Sequence, residues 1–436
     1  MDTAEDPISV DVILVLQLRT VNDPLLPRLE TFRCEEITKA FIPFVPLFPS
    51  QKTSKIVIGF AGDSPTVVVA STIARFSTLC PDLERVNLCN LPRDPIITEA
   101  VSEMLLGCNR GVLQALEVDS PLTEEAREVV YRLPRLSDLW EVIKGPTSLP
   151  TMVLPSLTTI DVEYDGHLNW LGGFRGATLE KLESVAFRTE SNDAGDFLGA
   201  FESAVLTTTV QNTLSEFRFH TSRSWNPNYS ALLSFNQLRK IEIWFSCIGG
   251  CVSRVDDDII GSLARAMPKL EVLRLGGLPC KIPTGITVNG LIGLSSRCPR
   301  LSKLCIHLQA ASFVEAATSA TMSCPAEEPV NYRNEDCALT DLEVGETPIP
   351  ARSGLTVALT LLQIFPRILN VKYTNGEWGT VAGTIKDFRR IGGFVHRSSK
   401  AHPSHLFKQR PLMAPYQEVQ SIRTPVRGGS RWRARY

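Results

Sequence analysis

The stretch Met267-Pro268-Lys269-Leu270-Glu271-Val272-Leu273-Arg274-Leu275 decides the fold of this chain. Its apolar positions follow the pattern Pro-x-Leu-x-x-Leu-x-Leu, which returns at Pro299-Arg300-Leu301-Ser302-Lys303-Leu304-Cys305-Ile306. The Leu-x-Leu alternation has a period of two, which is typical of a short β-strand with one buried face. Because the same unit occurs many times, the sequence predicts a repeat architecture.

Weaker copies of the unit extend along the chain at irregular intervals. Each copy starts at an apolar residue, and the copies start at Leu29, Leu83, Leu113, Leu136, Leu157, Leu182, Leu214, Leu238, Leu270, Leu301, Leu339 and Ile368. Lys55-Ile56-Val57-Ile58 supplies a further strand between the first two copies. Repeats of about 20–29 residues, longer where they contain insertions, are typical of leucine-rich repeats.

The segments between these strands carry helix signals. Ser64-Pro65, Asp94-Pro95, Asp256–Asp258 and Ser353-Gly354 each precede apolar residues at helical spacing. One strand and one helix cannot bury their apolar faces alone, but stacked copies share a continuous core. We therefore predict an α/β leucine-rich-repeat solenoid, a curved horseshoe with parallel strands on the concave face and helices on the convex face.

Changes in the pattern predict the domain organisation. We expect an N-terminal segment or cap at 1–25 and an irregular repeat array at 26–393. Within the array, prolines and acidic residues near 318–336 predict a loop insertion. The pattern ends at residue 394, so 394–436 is predicted to be a disordered basic tail.

The composition is that of a globular protein, and its charge is unevenly placed. Hydrophobic residues make up 43% of the chain and charged residues 21%, with a net charge of −2. The tail has nine basic residues and one acidic residue, a net +8, which leaves −10 for the rest. Such a tail could bind RNA, anionic lipid or an acidic partner through charge. It could equally be an incidental extension, which we favour, so a nucleic-acid partner is not the leading expectation.

Cysteine usage and hydropathy bear on the compartment. The 11 cysteines include no Cys-x-x-Cys pair, which favours reduced thiols in a cytoplasmic or nuclear protein. The apolar run from Val12 to Leu16 is too short to span a membrane and has no basic flank. We therefore expect neither a signal peptide nor a membrane partner.

No catalytic signature is present. Gly59–Ser64 lacks the lysine of a phosphate-binding loop, and the histidines His396, His402 and His405 have no acidic or cysteine partner nearby. Asp256–Asp258 is better explained as a helix start than as a metal cluster. We expect a protein that is not an enzyme and binds no cofactor and no metal.

The expected functional surface follows from the geometry of the repeat. In a leucine-rich repeat, the residues on either side of the second leucine face the concave surface. Tryptophan and arginine are frequent hot spots of binding. The predicted partner-binding residues are Trp140, Arg218, Lys240, Glu242, Trp244, Arg274 and Lys303. The alternative interpretation is a merely solvated scaffold surface, with the tryptophans in the core.

Several sequence motifs resemble those of one protein family. The Cys-Pro-x-Leu and Leu-Pro-x-Leu starts and the ending Leu361-Leu362-Gln363-Ile364-Phe365-Pro366 resemble the leucine-rich-repeat region of fungal F-box proteins, from Leu26 to Gly393. The residues before Leu26 contain no recognisable F-box, and the regular asparagine position of the repeat is not occupied by asparagine.

The resemblance implies a non-enzymatic protein–protein recognition scaffold. It would be similar to the substrate-binding part of an SCF-type ubiquitin ligase adaptor. The linker subunit of the ligase would be a partner only if an F-box is supplied elsewhere. The alternative function is RNA binding through the basic tail.

Overall fold

The structure is a computed structural model that describes most of the chain. The described residues are 24–190, 196–205, 209–222, 227–245, 255–276, 285–322, 336–374 and 376–399, with backbone only for 317–322 and 391–399. Residues up to Arg389 form one compact unit. The described residues after Arg389 are the last turns of one helix and belong to a second unit.

All the predicted strands are present and lie in one sheet. The described residues form a 13-stranded sheet in which every pair is parallel and the strand order follows the chain. The strands are β1 Thr31–Ile37, β2 Lys55–Phe60, β3 Arg85–Cys89, β4 Ala115–Pro121, β5 Asp138–Ile143, β6 Thr159–Tyr164, β7 Ser184–Thr189, β8 Glu216–Thr221, β9 Lys240–Phe245, β10 Val272–Leu275, β11 Lys303–Cys305, β12 Asp341–Glu343 and β13 Asn370–Lys372. The prediction of an α/β fold with parallel strands is therefore confirmed.

Helices occupy many of the connections between strands. The α-helices are α1 Thr66–Leu79, α2 Pro95–Gly107, α3 Glu124–Val130, α4 Phe197–Val205, α5 Val210–Thr213, α6 Asp257–Ala266, α7 Val288–Arg297, α8 Ala311–Met322, α9 Gly354–Ile364 and α10 Trp378–Ser399. Shorter 3-10 helices occur at Ile42–Leu47, Asn169–Phe174 and Tyr229–Ser234.

The four predicted helix starts are confirmed, and at two of them an aspartate side chain caps the helix. The Asp94 side chain accepts a hydrogen bond from the Ile96 amide at 2.9 Å, at the start of α2. Asp256 accepts one from the Ile259 amide at 3.0 Å, at the start of α6. Both carboxylates satisfy amides that have no partner within the helix. Within the acidic run, Asp256 is the cap of α6, and Asp257 and Asp258 lie in its first turn, so the run is a helix start as predicted.

One hydrophobic core runs beneath the whole sheet. The first leucines of the repeats, such as Leu83, Leu157, Leu270 and Leu301, belong to one cluster of buried side chains. Each is 0% exposed, and burying a leucine fully stabilises the fold by about 1.5–3 kcal/mol. The repeats therefore depend on their neighbours for this burial.

Large aromatic side chains fill the core where the connections are short. The 3-10 helices Asn169–Phe174 and Tyr229–Ser234 replace full α-helices beside β6 to β9. Aromatic rings in contact occupy this region: Tyr164, Trp170, Phe174, Phe187, Phe197, Phe201, Phe217, Phe219 and Phe235. Their bulk compensates for the smaller connecting segments, because a protein interior must be filled at close packing.

Two predicted boundaries differ from the structure. The first residues of the loop insertion predicted at 318–336 are helical, because α8 continues to Met322 through the alanine-rich sequence Ala316-Ala317-Thr318-Ser319-Ala320; alanine favours the helix most. Helix α10 continues to Ser399, past the predicted boundary at 393, since Pro403 is the next proline. Residues 1–23, 323–335 and 400–436 lie outside the described residues.

A buried charged group interrupts the apolar pattern of β5. Glu141 pairs in register with Val118 on β4 and Val162 on β6, so it lies in a row of core side chains. Its carboxylate accepts a hydrogen bond from Arg127 Nε at 2.5 Å and one from the Tyr131 hydroxyl at 2.7 Å. The Glu141 side chain is 1% exposed and that of Arg127 5%. Burial raises the pKa of the Glu141 carboxyl, against the opposing effect of Arg127.

Removing one member of this group should destabilise the protein strongly. We expect Arg127→Met to lower the free energy of unfolding by about 3–5 kcal/mol, because it leaves a buried carboxylate without its cation. The triple change Arg127→Met, Tyr131→Phe and Glu141→Leu should restore most of this loss. Urea unfolding followed by far-UV circular dichroism measures both. A loss below about 1 kcal/mol for Arg127→Met would contradict the assignment of a paired buried charge.

Candidate functional site on the open face of the sheet

The face of the sheet opposite the core carries two straight rows of side chains. The first row, from β2 to β13, is Lys55, Arg85, Ala115, Asp138, Thr159, Ser184, Glu216, Lys240, Val272, Lys303, Asp341 and Asn370. The second row is Val57, Asn87, Glu117, Trp140, Asp161, Ala186, Arg218, Glu242, Arg274, Cys305, Glu343 and Lys372. We call this surface the open face. Most of these side chains are partly or fully exposed.

All the predicted partner-binding residues lie on the open face. Trp140, Arg218, Glu242 and Arg274 stand in the second row, and Lys240 and Lys303 in the first. Trp244 lies two residues beyond Glu242 on β9, opposite His220 of β8. Trp140 and Trp244 are half-buried, and neither belongs to the core.

Glu242 is the centre of an ion-pair network. Its carboxylate lies 3.2 Å from Lys240 Nζ, 3.6 Å from Arg274 Nη1 and 3.6 Å from Arg218 Nε. Only 17% of the Glu242 side chain is exposed, so these attractions are screened less than those of a fully exposed pair. One carboxylate thus holds cations from three neighbouring strands.

The network extends on both sides of Glu242. Arg218 Nη2 lies 2.6 Å from Glu216 Oε2 on its own strand. Arg274 Nη2 lies 3.1 Å from Glu343 Oε2 on β12. Charges of opposite sign therefore alternate in the second row from β8 to β10, where neighbouring strands stabilise one another. Arg274 also reaches across Cys305 of β11 to Glu343 of β12.

Trp244 and Arg274 form a cation–π contact within the same network. The guanidinium carbon of Arg274 lies 5.0 Å from the centre of the Trp244 ring, within the range of this interaction. Arg274 is thus held by Glu242, Glu343 and Trp244 together. A side chain fixed in this way loses less conformational entropy when a partner binds it.

Five of the seven predicted residues therefore form one cluster. We name Arg218, Lys240, Glu242, Trp244 and Arg274 the Glu242 patch. Trp140 is separate, because β5 lies three strands from β8. Lys303 is also separate: it is exposed, lies opposite Asp341 in the register, and forms no ion pair with another described residue.

Sequence reasoning missed a second charged pair on the open face. Arg188 Nη2 lies 2.6 Å from Asp161 Oδ2. Arg188 belongs to a third row with Glu163, His220 and Trp244. This row was recoverable from the period of two, but apart from Trp244 the prediction considered only the two positions around each second leucine.

Burial has the largest effect on the pKa of the Asp161 carboxyl. It raises the pKa of this carboxyl to about 6, although Arg188 and Arg218 act in the opposite direction. The Asp161 Oδ1 atom is buried and has no hydrogen-bond partner. Burial and the nearby Arg188 lower the pKa of His220.

The environment of Cys305 differs from the one that its position predicts. Its position in the second row predicts an exposed side chain, yet Cys305 is 4% exposed. It lies between the longer side chains Arg274 and Glu343, its register neighbours on either side. Burial raises the pKa of its thiol to about 12, so Cys305 is a protonated thiol at neutral pH and a poor nucleophile.

Two further searches concern the described part of the chain only. Among its helices, none combines the length and the apolar character that crossing a membrane requires. No set of three or more His, Cys, Asp or Glu side chains there is placed to hold a metal ion.

Comparisons with known proteins do not assign a family. No protein-family model matches the chain, and no curated protein matches it. The resemblance to the repeat region of fungal F-box proteins therefore stays a prediction from the sequence.

Asp161 should make stability depend on pH. Its folded pKa of about 6 exceeds the ordinary value of about 3.9, so the folded state binds a proton that the unfolded state releases between these values. Stability from this group is therefore present below about pH 4 and is lost as pH rises through about 6. Between about pH 4 and pH 6, the free energy of unfolding of the wild type should fall by on the order of 2 kcal/mol relative to that of Asp161→Asn. Urea unfolding at several pH values measures the difference, and parallel curves would contradict it.

Proposed function

We propose that this chain is a leucine-rich-repeat solenoid that binds a protein partner on its concave face and catalyses no reaction. In this proposal the open face is the concave face. Support comes from the strict chain order of 13 parallel strands, alternating with helices and short turns. Stacked repeats of this kind present an extended binding surface.

The observation that carries the proposal is the Glu242 patch. It places a tryptophan and two arginines on one exposed surface and fixes them through shared partners. Residues of these types supply most of the binding energy in many protein interfaces. Arginines that are already ordered bind with a smaller entropy loss.

The open face is large enough for a stable complex. Strands lie about 4.8 Å apart, so 13 strands extend for roughly 60 Å across the sheet. A standard interface buries about 800 Å² on each partner. Two or three rows of side chains over this length supply a comparable area.

We propose further that the partner is a substrate brought to a ubiquitin ligase. This step rests on the resemblance to the substrate-binding part of SCF-type adaptors. The ligase linker subunit would join only if an F-box is supplied elsewhere. Loss of the partner's ubiquitination in cells that lack the chain would support this step, and unchanged ubiquitination would contradict it.

RNA binding through the tail stays the second prediction. It rests on the net charge of +8 at 394–436, and most of that segment lies outside the described residues.

Truncating the Glu242 patch should weaken partner binding strongly. We expect Trp244→Ala and Arg274→Ala each to weaken binding of the co-purified partner by about thirtyfold or more, because truncation of a hot spot costs about 2 kcal/mol or more. Matched controls are Arg265→Ala and Arg297→Ala, which remove exposed arginines from α6 and α7.

Biolayer interferometry with the purified partner measures each affinity. Equal loss in the controls would point to general charge attraction instead. Unchanged binding in both patch variants, with unchanged unfolding midpoints, would contradict the proposed function.

A further inference from the structure

A cavity opens on the open face between β6, β7 and β8. Its volume is about 320 Å³, at the lower end of the range for ligand pockets. The cavity exists because β7 carries the small residues Ser184 and Ala186 between longer side chains on β6 and β8. The lining residues are Thr158, Thr159, Asp161, Glu183, Ser184, Ala186, Ser215, Glu216 and Arg218.

The cavity is lined mainly by hydrogen-bond acceptors; the guanidinium of Arg218, which also lines it, is held by Glu216 and Glu242. Two hydroxyls already donate their protons to backbone oxygens: Thr158 Oγ1 donates to Ser137 O at 3.0 Å, and Ser215 Oγ donates to Glu183 O at 3.2 Å. Their oxygen lone pairs remain available as acceptors. Three carboxylates add further acceptors, and a ligand that fits here must therefore bring donors.

The charges of the cavity leave one carboxylate uncompensated. Glu216 is paired with Arg218 at 2.6 Å. Asp161 is paired with Arg188 at 2.6 Å. Glu183 is exposed and forms no ion pair with a described residue. The carboxylates that line the cavity thus carry one negative charge that no described cation compensates.

We propose that this cavity binds the ammonium group of a lysine side chain from the protein partner. The inference rests on the proposed function, since the cavity lies within the surface assigned to partner binding. A lysine ammonium has three donors and no acceptor, and its single charge matches the free carboxylate of Glu183. Thr159 and Ser184 also line the cavity, and their hydroxyl oxygens can act as further acceptors.

Lysine fits this cavity better than arginine does. A guanidinium binds best to both oxygens of one carboxylate. Asp161 and Glu216 each already use one oxygen for Arg188 and Arg218, respectively, which leaves only the exposed Glu183, among the described residues at the cavity, with both carboxylate oxygens free. An ammonium needs no such fork, because its three donors can reach separate oxygens.

Peptides test the inference. We would select peptides from a random library displayed on phage against the full chain, and synthesise those whose binding is lost in Trp244→Ala. We expect these peptides to require one lysine. Acetylation of its Nζ atom should weaken binding about tenfold, and so should Glu183→Gln, because each removes one partner of a charge-assisted hydrogen bond. Arginine at the same position should bind more weakly than lysine.

The control and a second variant separate local from general effects. Glu180→Gln removes an exposed carboxylate that does not line the cavity, and it should leave affinity unchanged. Ser184→Leu fills the cavity and should abolish the preference for lysine. Unfolding midpoints equal to the wild type would show that both variants fold.

Two outcomes would overturn the inference, and they are distinguishable. Peptides that need Trp244 but are indifferent to acetylation, Glu183→Gln and Ser184→Leu would exclude the lysine cavity and leave the proposed function standing. A selection that yields no peptide sensitive to Trp244→Ala would count against the proposed function and the cavity together.

Discussion

No single repeat of this chain can bury its own apolar face. A short strand and a helix each present one apolar side, and a stable core forms only when neighbouring repeats cover one another. The parallel pairing of 13 strands in chain order meets this constraint along the whole sheet. The open face follows from it, since every residue that alternates with a core residue must point the other way.

This alternation places chemically different residues in straight rows. Arg218, Glu242 and Arg274 are distant in sequence but adjacent in space because the register is constant from β8 to β10. Their attraction adds to the pairing of the strands, and it also holds the side chains in place. A surface ordered in this way is suited to recognition, which is why the proposed function is assigned to it.

Glu141 is a charged exception to the apolar pattern of the core positions in the strands. It occupies a core position, and the fold accommodates it by bringing Arg127 and Tyr131 to its two oxygens. Such a group contributes less stability than apolar side chains would, but each member depends on the others. The loss of any one of these three side chains therefore leaves a buried polar group without its partner in the region from α3 to β5.

The sequence by itself determined the strands, their parallel order and the two rows of open-face residues, because a period of two fixes which side each residue takes. It also determined the helix starts at Asp94 and Asp256, where a local capping interaction is sufficient. Only the tertiary structure decided which of the exposed residues meet. The contact of Trp244 with Arg274, the burial of Cys305 and the cavity above Ser184 depend on side-chain sizes on neighbouring strands. These residues lie tens of positions apart in the chain, so no local pattern in the sequence records their contacts.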